Sequence, residues 1–153
     1  MKLYLIQHGE AKPEAEDPER SLTRRGEEEA RRVAMAAKRL GLHPSKICHS
    51  GKLRAKQTAD LFAEALNRPA ETAQGLSPND DVRPWRARIS EGSDDLMLVG
   101  HLPFLEKLVS LLISGDENKR LVFFRYSAIV RLDQREDKGW GVRWILTPEM
   151  VSP

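Results

Sequence analysis

At 153 residues, with 40% hydrophobic and 31% charged side chains, the chain has the size and balance of one soluble domain, which excludes a disordered or fibrous protein. Its formal charge of +2, with lysines and arginines interleaved among acids, offers no single-sign face for nucleic acid or a lipid surface, and no stretch reaches the roughly 20 apolar residues of a membrane span. Cys48 is the only cysteine, so no intramolecular disulfide can form and a reduced cytoplasm is expected. The apolar run near the N-terminus is too short for a signal peptide.

Leu3 to Ile6 is a short apolar run ended by polar residues and glycine, which predicts a central strand buried on both faces. Residues 9–21 contain Pro13 and Pro18 and no periodicity, and read as a surface loop. From Arg25 to Leu40, Ala30, Val33, Ala34, Ala37 and Leu40 recur at helical spacing, with Leu22-Thr23 ahead and Gly41 behind. Glu27-Glu28-Glu29 is expected on its solvated face, near the helix N-terminus. Lys46 to Ser50 predicts a second strand and Leu53 to Leu66 a second amphipathic helix, broken by Asn67-Arg68-Pro69. A weakly patterned stretch to Glu91 contains a helix around Asp80 to Ile89, despite Pro84.

Leu96 to Val99 predicts a third buried strand, and Phe104 to Ile113 a helix with Pro103 at its start. The runs Leu121 to Leu132 and Gly141 to Leu146 are rich in Val, Ile, Phe, Trp and Tyr, with Lys138-Gly139 between them, and read as paired strands or a hairpin. Trp140 and Trp144 fit packing at a sheet edge. The order predicts one α/β domain over residues 1–153: a three-layer sandwich with a mostly parallel central sheet, helices on both faces and an antiparallel edge.

Three polar clusters follow strand ends: Gln7-His8-Gly9-Glu10, Ser50 to Arg54, and Gly100-His101. Ligands of open α/β sheets bind at the carboxyl ends of strands, so these clusters can share one pocket. Two histidines and an arginine beside helix N-termini suit a phosphate group. His43 and His49 lack the spacing and companions of a zinc site and are read as surface and structural residues. Ser50 is read as a helix cap, since no nucleophile elbow surrounds it, and Cys48 as a core residue.

The blocks His8-Gly9, Leu22-Thr23 with Gly26, Ser50 with Arg54-Ala55 and Gln57-Thr58, and Gly100-His101-Leu102-Pro103 together resemble the histidine phosphatase superfamily. The length, the spacing and the ending Tyr126-Ser127-Ala128-Ile129 resemble its small SixA-type phosphohistidine phosphatase branch. The resemblance implies a phosphoglycerate mutase-like fold and a phosphatase that needs no metal or cofactor. In it, His8 is the nucleophile, and Arg54, His101 and Arg20, with Gln7 and Gly9, surround the phosphate. It further implies, as substrate, a phosphohistidine-bearing partner protein. A monomer is expected.

Two departures follow from the same comparison. The family has arginine where this chain has Gln7, and glutamine brings donors without charge. Losing one such transition-state donor can cost about a hundredfold to a thousandfold in rate, so a catalytically weak phosphate- or partner-binding module is the alternative expectation. Relatives acting on phosphate esters carry an acid to protonate the leaving oxygen, whereas Ala73 to Pro78 contains none, leaving Glu10 or Asp80 as donors. That disfavours a small phosphate ester, because a phosphorylated imidazole departs readily once protonated on nitrogen.

Overall fold

The computed structural model describes residues 1–153. In chain order its elements are β1 (Lys2–Gln7), α1 (Arg24–Arg39), β2 (Lys46–His49), α2 (Leu53–Leu66), β3 (Ala70–Thr72), α3 (Arg83–Glu91), β4 (Leu96–Gly100), α4 (Phe104–Ser114), β5 (Ile129–Gln134), β6 (Trp140–Leu146) and a 3-10 turn at Pro148–Met150. The strands form one sheet of order β3-β2-β4-β1-β5-β6. The first four neighbours are parallel, and β5 and β6 add an antiparallel edge. This is the expected α/β architecture.

Alternation along the strands divides the core into two layers, because successive side chains of a strand point to opposite faces. Leu3, Leu5, Leu98, Val130 and Leu132 face α3 and α4, meeting Trp85, Ile89, Phe104, Leu105 and Leu108. Tyr4, Ile6, Ile47, Met97, Val99 and Ile129 face α1 and α2, meeting Val33, Ala37, Ala55, Ala59 and Phe62. Both faces of β1 are therefore dry, which is why its sequence reads as a continuous apolar run rather than an alternating one.

Thr23 caps α1 by accepting the Gly26 N–H at 2.9 Å, and Gly41 follows its end in the left-handed region at φ +74°. Helix α3 accommodates Pro84 in its first turn, where a backbone donor would have no helical partner anyway. The hairpin expected at Lys138-Gly139 joins β5 to β6, with the Arg135 N–H bonded to the Gly139 carbonyl at 2.7 Å. Trp140 is buried at this edge, and Trp144 packs against Tyr4 with ring centroids 6.4 Å apart. No helix is long and apolar enough to cross a membrane.

Three expectations need correction. The run from Leu121 is not a strand until Ile129: Val122 and Phe124 plug into the α4 layer while Phe123 is 96% exposed, and this segment pairs with no strand. Ser127, at φ +62°, then redirects the chain into β5. Ala70–Thr72, expected only as the sequel to a helix break, pairs in parallel with β2 as the outermost strand. Glu29 is not on a solvated face but 5% exposed, because Arg125 reaches both of its oxygens at 3.0 and 2.7 Å.

Candidate active site

His8 stands where β1 ends, and its backbone N–H donates to the Gly100 carbonyl at 2.9 Å, tying that end to the end of β4. Its ring Nδ1 lies 2.7 Å from the Gly9 carbonyl oxygen, which can only accept, so Nδ1 carries the proton and Nε2 keeps its lone pair. Burial, the largest influence, pushes the His8 pKa down to about 4; the Gly9 hydrogen bond opposes this, and the charges of Arg54 and Arg20 add to it. The imidazole is neutral at physiological pH.

His101 is fully buried beside it, with ring centroids 5.1 Å apart. Its Nε2 is 2.6 Å from Ser50 Oγ, and Ser50 Oγ also accepts the Lys52 N–H at 3.3 Å. With that acceptance made, the hydroxyl proton of Ser50 is free to go to Nε2. When it does, a neutral His101 carries its own proton on Nδ1, a buried atom with no protein partner. Burial first, then His8 and the cations Arg54, Lys52 and Arg20, push its pKa to about 3. The helix cap expected of Ser50 is not formed: the N-cap of α2 is Lys52, which receives no side-chain cap, and Ser50 instead braces His101 ahead of the helix.

Arg54, in the first turn of α2, has a buried Nε with no hydrogen-bond partner. Its pKa is lowered by burial and then by the charge of Arg20, with Tyr126 opposing. Arg20 adopts a left-handed backbone at φ +54° and donates from Nε to the Lys12 carbonyl at 3.1 Å. Two guanidinium groups facing one space with an unsatisfied donor are a receptor for an anion, since an anion removes both the repulsion and the orphaned N–H. An open cleft of about 630 Å³ borders them, with Lys52 and Lys56 on its walls.

Gln7 is buried at the end of β1, and its carbonyl accepts the Ser127 N–H at 2.9 Å. The Gly9 N–H is taken by Thr58 Oγ1 at 2.9 Å, and the Thr58 hydroxyl donates to the Arg54 carbonyl at 2.8 Å. Gly9 serves by being small: a Cβ there would stand 3.0 Å from the Gly26 carbonyl and 3.1 Å from Ser127 Oγ. The structure therefore brings His8, His101, Arg54 and Arg20 to one place, with Gln7 and Gly9 beneath them.

Sequence reasoning missed a wall of the site, where the Tyr126 ring lies 5.6 Å from the His8 ring. It also gave Thr58 no role, though Gln57-Thr58 stood out as a block. Both residues join the loops: Leu22 N–H bonds Gln57 Oε1 at 2.8 Å. His43 is exposed and accepts from Arg68 at 2.7 Å, while the buried His49 accepts the Gly51 N–H at 3.1 Å. No three His, Cys, Asp or Glu side chains are grouped to hold a metal ion.

The sequence model described as histidine phosphatase superfamily (branch 1) matches residues 3–78. Phosphohistidine phosphatase SixA of Escherichia coli strain K12 is 30% identical over 97% of this chain and 94% of its own. The chain belongs to the histidine phosphatase superfamily. A structure of the protein histidine phosphatase SixA complexed with tungstate is similar to this superfamily member at a TM-score of 0.84, with 30% identity and 97% of each chain covered. The alpha-ribazole phosphatase of Shigella flexneri shares the fold at a TM-score of 0.80 and 18% identity over 97% of each chain.

Proposed function

We propose that this superfamily member removes the phosphoryl group from a histidine of a partner protein, by way of a covalent phosphohistidine formed on its own His8. The observation that carries the reading is the tautomer of His8: the Gly9 carbonyl holds the proton on Nδ1, so a buried, neutral Nε2 is presented beside two arginines.

In the first half-reaction the Nε2 lone pair forms a bond to phosphorus, the bond from phosphorus to the substrate imidazole breaks, and the departing nitrogen keeps that electron pair and is protonated. Arg54, Arg20 and the Nδ1–H of His101 stabilise the charge on the transferring group, and little covalent chemistry remains for the protein to do. In the second half-reaction water attacks phosphorus, the bond to His8 Nε2 breaks, and inorganic phosphate leaves with His8 restored.

A nitrogen-linked substrate is supported by the state of the two candidate acids. Asp80 Oδ2 accepts the Ser77 N–H at 2.8 Å and Glu10 Oε1 accepts the Thr23 hydroxyl at 2.8 Å, so each has an oxygen already engaged by the protein. An alkoxide leaving group needs a proton donor far more than an imidazole does. The name of the Escherichia coli relative points the same way.

The test is phosphate release from a histidine-phosphorylated protein in the presence of a chelator, for the native chain and His8→Ala. We expect release that His8→Ala abolishes, and much slower release from sugar phosphates. Gln7 motivates a second reading, a site that binds phosphate without appreciable turnover. No release from the native chain, together with a gain of a hundredfold or more in Gln7→Arg, would establish that second reading instead.

A further inference from the structure

The segment from Leu121 to Tyr126 is built unlike the rest of the surface. Val122 and Phe124 anchor it to the core, while Leu121 is 48% and Phe123 96% exposed. The backbone of Val122, Phe123 and Phe124 neither donates nor accepts a backbone hydrogen bond. Together with Leu102 these residues line a groove of about 560 Å³, whose lining also includes the ion pair of Arg120 and Glu106 at 3.2 Å. Folding gains nothing from a phenylalanine held in water, and exposed aromatic side chains beside a groove are the residue type that anchors protein interfaces.

The position of the groove says what would fill it. Leu102 directly follows His101, and Tyr126, whose ring lies against His8, is three residues beyond Phe123, a reach of at most about 11 Å. A free phosphate or a small phosphorylated molecule seated among His8, Arg54 and Arg20 need not touch Phe123. A phosphorylated histidine borne on a folded protein brings its own surface across it. The cleft that borders Arg20 and Arg54 is lined by charged residues, Lys52 and Lys56 with Glu14 and Glu19, and the groove at Leu102 by apolar ones, so the groove is the surface suited to uncharged side chains next to the phosphate.

Resting on the substrate reading above, we infer that Leu102, Leu121 and Phe123 form a docking surface for apolar side chains flanking the phosphohistidine on the partner protein. The surface, and not the phosphate pocket, then selects among histidine-phosphorylated proteins.

The experiment uses a helical protein with a single surface histidine flanked by leucines, phosphorylated with phosphoramidate, and its counterpart with serines in place of the leucines. The native chain is expected to favour the leucine-flanked probe about tenfold in kcat/KM. Phe123→Ser is expected to erase that preference while leaving turnover of free phosphohistidine unchanged; the exposure of Phe123 makes this variant safe for folding. Equal rates on the two probes, or a preference that survives Phe123→Ser, would overturn the inference.

If the native chain hydrolyses none of the probes, the substrate reading fails on its own. The docking surface is then read by the affinity of His8→Ala for the two probes, with and without Phe123→Ser and with the same outcomes expected. Sedimentation supplies the remaining arm: self-association that Phe123→Ser abolishes would assign the groove to a second copy of this chain and overturn the proposal.

Discussion

The oxygen of Ser50 lies between a backbone amide and His101 Nε2, and a hydroxyl that donates to Nε2 keeps the proton of this buried imidazole on Nδ1. With the hydroxyl removed, Nε2 loses its donor, and the proton can move there from Nδ1, leaving a lone pair where an anion needs an N–H. Ser50→Ala is therefore expected to lower kcat about tenfold to a hundredfold with little change in KM, since a misplaced donor costs less than a missing one. Ser50→Thr, which keeps the hydroxyl, should retain most of the rate. The ring nitrogen resonances of His101 provide a check separate from activity: an unchanged tautomer in Ser50→Ala would refute this role. Gln7 belongs to the same scale. Its replacement of a family arginine was plain in the sequence, but its burial and the bond from Ser127 to its carbonyl were not, because Ser127 is 120 positions away.

At the scale of elements, α1 meets the loop that follows His8 through glycine. A Cβ on Gly26 would stand 2.1 Å from the Glu10 carbonyl oxygen, a contact with backbone that no rotamer change relieves. Gly26→Ala must push the helix start away from residues 9 and 10, at a cost of about 1–3 kcal/mol or more. We expect a lower Tm together with reduced turnover, measured by thermal denaturation and steady-state kinetics on the same preparation. The helices and buried strands here were legible because their apolar spacing is strong. The rest was hidden for particular reasons. Ala-Glu-Thr at residues 70–72 has no pattern long enough to announce a strand, and only the exposed edge of β2 makes it one. Leu121 to Phe124 has strand-like alternation, but its buried members pack on a helix instead of a sheet neighbour. Glu29 sits in a run of three glutamates that periodicity alone cannot separate, and its partner Arg125 is 96 residues away. His8 and His101 were readable because each directly follows a strand, and Arg54 because it opens the helix after one, whereas Tyr126 reaches them from an irregular segment.

At the scale of the molecule, three buried histidines set the response to acid. His8, His49 and His101 all have pKa values lowered by burial, with His8 near 4 and His101 near 3. Below pH 6.5 an unfolded chain takes protons that the folded chain refuses, so their contribution to stability is complete above that pH and declines as pH falls toward 4 and 3. The Glu29 carboxylate, held below its usual range by the Arg125 hydrogen bonds, adds a loss of the same sign at lower pH. Tm should fall steadily from pH 6.5 to pH 4, and the double variant His8→Gln, His101→Gln should fall less steeply. An equal slope in the variant would place the acid sensitivity elsewhere.

The sheet order gives the site a history as well as a shape. β1, which presents His8, comes first in sequence, yet its two neighbours are residues 96–100 and 129–134. While a ribosome is still short of Ile129, β1 has one flank without a partner, and the Tyr126 wall, the Ser127 bond to Gln7 and the His101 donor are absent or unplaced. A nascent chain therefore holds His8 long before it holds the site around it, and the bare edge of an apolar strand during that interval is a natural ligand for chaperones.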